Sequence, residues 1–227
     1  MISKNEIVFL FDVDNTLLDN DQVINDLSLQ IEREFGAQQR HRYFAIFEEL
    51  RAKLGYADYL GALQRYRLEE MCDPRLLIMS SFLVDYPFAD RLYPRALDVI
   101  KHASAWGRTV ILSDGDVVFQ PRKIQRSGLW EAVEGRVLVY IHKEQMLADI
   151  ERRCPANHYI MIDDKLRILA AMKKIWGDRL TTIFPRQGHY ALDPENMAAY
   201  PQADVAIERI SDMLDLDLSL LIRTKRQ

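Results

Sequence analysis

Apolar positions along the chain follow two rhythms. Short unbroken apolar runs, rich in β-branched and aromatic residues, occur at Ile7–Phe11, Thr109–Leu112, Val137–Ile141, Tyr159–Ile162 and Leu180–Phe184, with a shorter one at Asp204–Ile207. A run without polar alternation suits a strand buried on both faces, as in a parallel sheet covered by helices. Between the runs the spacing becomes helical. In Lys165–Trp176, the residues Ile168, Ala171, Met172 and Ile175 fall at i, i+3, i+4 and i+7, and Gly177 stands where a C-terminal cap glycine belongs. Pro94 leads a stripe of Leu97, Ile100 and Ala103 closed by Gly107; Pro121 suits the first turn of a helix that Gly128 ends; Glu144–Arg153 reads as a further helix. Strand and helix in alternation predict an α/β fold with a doubly wound parallel sheet.

One segment breaks the alternation. From Asp19 to Ala89 the pattern is almost wholly helical: Leu27, Ile31 and Phe35 share a face, as do Phe44, Phe47 and Leu50, and Tyr59, Leu63 and Tyr66. These stripes read as plain helix–helix core. The segment is expected to be a small helical domain, 19–89, inserted into a core made of 1–18 and 90–227. The chain ends in a helix and a basic tail, Arg223 to Arg226.

Composition narrows the function classes. The 227 residues are 48% hydrophobic and 28% charged, ordinary globular proportions. A net charge of −4 and a pI near 5.8 point away from nucleic acid, whose phosphate backbone calls for a basic face. A small phosphorylated substrate needs only a local cation. Cys72 and Cys154 are far apart and form no CxxC pair, so neither a zinc site nor a disulfide framework is signalled. The first apolar run ends at Asp12, too short for a signal peptide or a membrane span. The expected setting is the cytoplasm, with no membrane partner. The oligomeric state is not readable.

Four polar clusters follow predicted strand ends, where open α/β sheets bind ligands. Asp12-Val13-Asp14-Asn15-Thr16 ends the first strand. Two carboxylates that close are costly to hold together unless a cation neutralises them, and hard oxygen ligands suit magnesium. The competing reading is an acidic turn whose Asp and Asn cap a helix. Ser113, followed by Asp114-Gly115-Asp116, offers a hydroxyl and backbone N–H groups to an oxyanion. Lys143 stands just after the third run, and Asp163-Asp164 just after the fourth. A lysine there is ordinarily solvated, and paired acids ordinarily serve a helix N-terminus. One fold would nonetheless gather all four into one crevice. Together they supply a nucleophile, a second acid, an oxygen binder, a cation and a metal-binding acid, the parts that phosphoryl transfer needs.

In these four motifs, taken in order, the sequence resembles the haloacid dehalogenase-like superfamily over nearly its whole length. The resemblance implies a Rossmann-like core and makes the helical insertion a cap that closes over the site. It implies that Asp12 attacks phosphorus to form an aspartyl-phosphate. Asp14 then protonates the leaving group and deprotonates the attacking water, while Ser113 and Lys143 hold phosphoryl oxygens. Mg2+ is held by the Asp12 carboxylate, the Asp14 backbone carbonyl and one acid of the last pair, with Asp164 favoured as direct ligand and Asp163 in support.

Several readings stay open. Asp114 and Asp116 shape the phosphate loop or cap the next helix, with capping favoured. Lys165 balances the paired acids or points to solvent, and the stretch Arg186 to Tyr190 lines the mouth of the site or forms a surface loop. His142 and His158 receive no role. The expected activity is hydrolysis of a small phosphomonoester. The alternatives are a phosphomutase, a dehalogenase on the same fold, which Asp14 argues against, and a non-catalytic binding module.

Overall fold

The computed structural model describes residues 6–69 and 73–223. Cys72 and residues 224–226 of the basic tail lie outside them. Six strands form one sheet in the order β3-β2-β1-β4-β5-β6, with every pair parallel. They are β1 Ile7–Phe11, β2 Arg108–Asp114, β3 Val137–Tyr140, β4 His158–Ile162, β5 Leu180–Pro185 and β6 Val205–Ile207. Both faces are covered, which explains the unbroken apolar runs. Phe9, Phe11, Ile111, Ile160 and Ile183 pack into one hydrophobic cluster; Val8, Leu10, Leu112, Met161 and Phe184 pack into the other.

Four helices, α1 Asn20–Phe35, α2 Ala37–Leu54, α3 Tyr59–Arg67 and α4 Arg75–Asp85, lie between β1 and β2. Their stripes join the first of those clusters. Aromatic packing makes the join: Tyr59 meets Phe47 at 4.8 Å on one side and Phe119 of the sheet's flanking helix at 5.1 Å on the other. The remaining helices are α5 Ala96–Ser104, α6 Phe119–Arg126, α7 Leu129–Ala132, α8 Leu147–Arg153, α9 Leu166–Trp176, α10 His189–Leu192, α11 Pro194–Ala199 and α12 Leu218–Arg223. Among the described residues no helix is long and apolar enough to cross a membrane.

Two predicted helix faces are displaced by a residue. In α9 Ile175 is 65% exposed, and the buried face is Leu166, Ile168, Leu169, Met172 and Trp176. In α5 Leu97 is exposed, and Ala96, Val99, Ile100 and Ala103 face inward. Both helices carry more apolar residues than one face holds, so several stripes fit the sequence and packing selects one. The helix expected over Glu144–Arg153 divides into a 3₁₀ turn at Lys143–Gln145 and α8.

Candidate active site

The loop after β1 is organised by its own side chains. Asn15 adopts φ 61, a left-handed conformation that asparagine tolerates. Its Oδ1 accepts the N–H groups of Asn20 (3.0 Å) and Asp21 (3.2 Å), satisfying backbone donors at the start of α1. Thr16 donates to Asp12 Oδ2 at 3.2 Å and accepts the backbone N–H of Asp164 at 3.0 Å, tying the ends of β1 and β4 together.

Around Asp12 the sheet brings together residues from three other strand ends. Lys143 is buried, with Nζ 2.5 Å from Asp12 Oδ1 and 2.7 Å from Asp163 Oδ2. It also donates to the Leu112 carbonyl at 3.2 Å. Burial disfavours its ammonium, but the charges of Asp12, Asp163 and Asp114 prevail and hold its pKa above the ordinary lysine value. Asp163 receives the Lys165 backbone N–H on its other oxygen at 2.8 Å. Asp164 is 1% exposed, and neither of its carboxylate oxygens has a hydrogen-bond partner. Burial pushes the pKa of Asp164 well above the usual carboxylate range, with Lys165 opposing and Asp163 adding to the rise. One carboxylate oxygen each from Asp12, Asp163 and Asp164 lie within 4.8 Å of one another.

Orphaned oxygens in a dry site cost free energy unless a cation takes them. An all-carboxylate donor set suits a hard divalent ion. The residues present therefore fit a divalent metal, with Asp164 as the side chain left free to bind it.

Ser113 stands at the end of β2 and its Oγ accepts from Gln120 Nε2 at 2.9 Å. Helix capping falls to Asp116, which accepts the N–H groups of Val118 (2.8 Å) and Phe119 (2.6 Å). Asp114 does something the sequence reading did not consider. Its Oδ1 accepts the Lys143 backbone N–H at 2.8 Å, so it anchors the loop that presents the lysine.

A cavity of about 780 Å³ opens between the helices α1–α3 and the strand ends. Asp14, Asp114 and Lys165 line it from the sheet side, and Phe44, Arg51 and Tyr56 from the helical side. Lys165 faces the cavity with Nζ 4.9 Å from the centre of the Tyr190 ring. His189 and Tyr190 line the mouth, and Arg51 reaches across it to the Tyr190 hydroxyl. His142, given no role from the sequence, lines the same cavity, whereas His158 meets Thr181 at 2.9 Å.

Sequence reasoning missed two residues of α6. Lys123 is fully buried, and its Nζ donates to Asp14 Oδ1 at 2.6 Å and to Asn20 Oδ1 at 2.9 Å. Gln120 donates to Asp14 Oδ2 at 3.3 Å as well as to Ser113. No sequence signal marked them: Phe119 with Lys123, and Gln120 with Ile124, are i, i+4 pairs that packing alone turns into the buried side of α6.

The family model described as haloacid dehalogenase-like hydrolase matches residues 8–175. A solved structure of a haloacid dehalogenase-like hydrolase from Burkholderia xenovorans LB400 is 67% identical, over 95% of this chain and 98% of its own, with a TM-score of 0.90. A haloacid dehalogenase-like family hydrolase from Xanthomonas campestris is 18% identical, over 97% of this chain and 94% of its own, with a TM-score of 0.65. The L-2-haloacid dehalogenase of Xanthobacter autotrophicus is 17% identical, over 96% of this chain and 98% of its own, with a TM-score of 0.60. At such identities the last two share the fold alone. No curated protein matches the sequence.

Proposed function

The chain belongs to the haloacid dehalogenase-like hydrolases, and on that footing we propose that it is a magnesium-dependent phosphatase of a small phosphorylated metabolite, working through an aspartyl-phosphate on Asp12. The observation that carries this reading is Asp164, buried beside Asp12 with both oxygens unpartnered. Such a carboxylate is in place for a cation, and charge neutralisation is what an anion attacking a phosphate ester requires.

Magnesium, held by the Asp12 and Asp164 carboxylates and the Asp14 backbone carbonyl, would supply positive charge beside the phosphoryl oxygens. Asp12 Oδ attacks phosphorus as the ester P–O bond breaks, and Asp14 gives its proton to the departing alkoxide. Asp14 then takes a proton from water as the water oxygen bonds to phosphorus. The acyl phosphate opens, freeing the Asp12 carboxylate and inorganic phosphate. Lys143 and Ser113 bind phosphoryl oxygens, and Asp114 steadies Lys143 through its backbone. Asp163 holds Lys143 in line with Asp12.

The helices of 19–89 act as the cap over a core of 1–18 and 90–227, supported by the cavity they share with the strand ends. The cavity's mixed aromatic and charged lining supports a small organic phosphate rather than a polymer, and the acidic net charge fits a cytoplasmic enzyme without nucleic acid or membrane partners.

The test is phosphate release from a panel of phosphomonoesters, with magnesium and with a chelator. Release is expected only with the metal, and Asp12→Asn is expected to lose turnover on every substrate. Full metal-free activity, or halide release from 2-haloacids faster than phosphate release from any ester, overturns the reading.

A further inference from the structure

The loop after β2 leads into α6, and α6 sends two side chains back to the nucleophile loop. Gly115 makes this approach possible: a Cβ there would lie 2.8 Å from Gln120 Cβ, inside any normal contact. Gln120 then bridges Ser113 Oγ and Asp14 Oδ2. One turn on, Lys123 reaches Asp14 Oδ1 from a fully buried position, with Nζ 5.3 Å from the centre of the Phe119 ring. Burying a lysine this completely is costly unless a specific partner offsets the lost hydration. Here the partners are Asp14 and Asn20, the first residue of α1, whose Nδ2 lies 3.4 Å from the Tyr59 hydroxyl.

The two oxygens of Asp14 are held unequally. Oδ1 meets a buried ammonium at 2.6 Å, a strong charge-assisted bond, whereas Oδ2 receives only an amide at 3.3 Å. The carboxylate also borders the cavity, with 25% of its side chain exposed. We propose that Lys123 is the positioning residue for Asp14, fixing the carboxylate through Oδ1 so that Oδ2 is the oxygen that exchanges the proton with leaving group and water. This rests on the phosphatase reading for its chemistry but not for its geometry. Through Asn20, the same lysine ties Asp14 to the start of the helical insertion.

The experiment uses Lys123→Met, which keeps the length and removes the ammonium, with Asp14→Asn and the double variant beside it. Loss of positioning should imitate loss of the proton carrier. General acid–base help amounts to about 10²–10⁴-fold, so Lys123→Met is expected to slow hydrolysis of glycerol phosphate about 10- to 100-fold more than the first-step burst with nitrophenyl phosphate. In the double variant, which leaves no buried charge unpaired, turnover is expected to equal that of Asp14→Asn. Equal losses on the two esters, or a further loss in the double variant, overturn the proposal. Should Lys123→Met not fold, the comparison of the double variant with Asp14→Asn still decides. Crystal structures give an arm independent of any substrate. Asp14 is expected to leave its present position in Lys123→Met, and an unmoved Asp14 overturns the proposal even where the wild type proves to be no phosphatase. Absence of phosphatase turnover in the wild type overturns the functional reading alone.

Discussion

Asp163 and Asp164 are adjacent in sequence and opposite in circumstance. Asp163 has both oxygens engaged, one by the Lys143 ammonium and one by the Lys165 N–H. Asp164 has neither engaged. A carboxylate already satisfied by the protein orients its neighbours, whereas one left bare in a dry site is the one to ligate. Outer partners of a metal site typically contribute about 10–100-fold to metal affinity. Asp163→Ala is therefore expected to raise the magnesium requirement within that range, and Asp164→Ala beyond it. Magnesium titrations of activity, paired with calorimetric binding, measure both. The reverse ranking would reassign the direct ligand.

At the scale of elements, the seam between helical insertion and sheet is a place where backbone geometry matters. Gly55 closes α2 with φ +82, and a Cβ added there would come within 2.8 Å of the His142 ring, on the loop that precedes Lys143. Gly55→Ala thus carries the ordinary strain of a left-handed alanine, about 1–2 kcal/mol, and is also expected to push the insertion away from the Lys143 loop. It is expected to raise KM several-fold, and His142→Ala in the same chain is expected to restore much of that loss by clearing the space. A KM unchanged in Gly55→Ala would show that the insertion does not need this contact. The strands, the order of the motifs and the helical character of the insertion were legible because burial on both faces and helical periodicity leave plain marks. The helix faces of α5 and α9 were not, since surplus apolar residues such as Leu97 and Ile175 let several stripes fit. Lys123 was hidden for another reason. A lysine's usual place is the surface, and only the fold brings an aspartate 109 residues away within reach. The bond that Asp114 makes was illegible on the same ground, because its partner, the Lys143 N–H, belongs to the next strand's loop.

For the whole molecule, the carboxylates of the site make stability depend on proton and metal together. Burial raises the pKa of Asp163, to about 6, and of Asp164, well above the usual range, whereas the unfolded chain keeps ordinary carboxyls. Without metal, the folded state then holds protons that the unfolded state has released. Its stability contribution from these groups is full below the ordinary aspartate range and declines as pH rises toward the raised folded values. Asp26 and Asp204, whose pKa values are lowered despite their desolvation, by Tyr86, Arg91 and Gln22 for Asp26 and by Lys173 and Thr182 for Asp204, slope the other way. The contribution of the site is isolated by comparing the wild type with Asp164→Asn, in which those surface pairs are intact. Metal-free Asp164→Asn is expected to melt above the wild type at about pH 7.5 and to converge with it only below about pH 4, where the unfolded carboxyl is protonated too. On the proposed function magnesium would bind these carboxylates in the folded state alone, so it is expected to raise the wild-type Tm at neutral pH, by about 2.7 kcal/mol of stabilisation at a hundredfold excess over Kd. That rise should shrink as protons compete below about pH 6, and Asp164→Asn should show little of it at any pH. Thermal melts of both proteins across this range, with magnesium and with chelator, make the measurement. A magnesium-induced rise in Tm that is the same at both ends of the range, or the same in Asp164→Asn as in the wild type, would mean that the ion does not bind at these carboxylates.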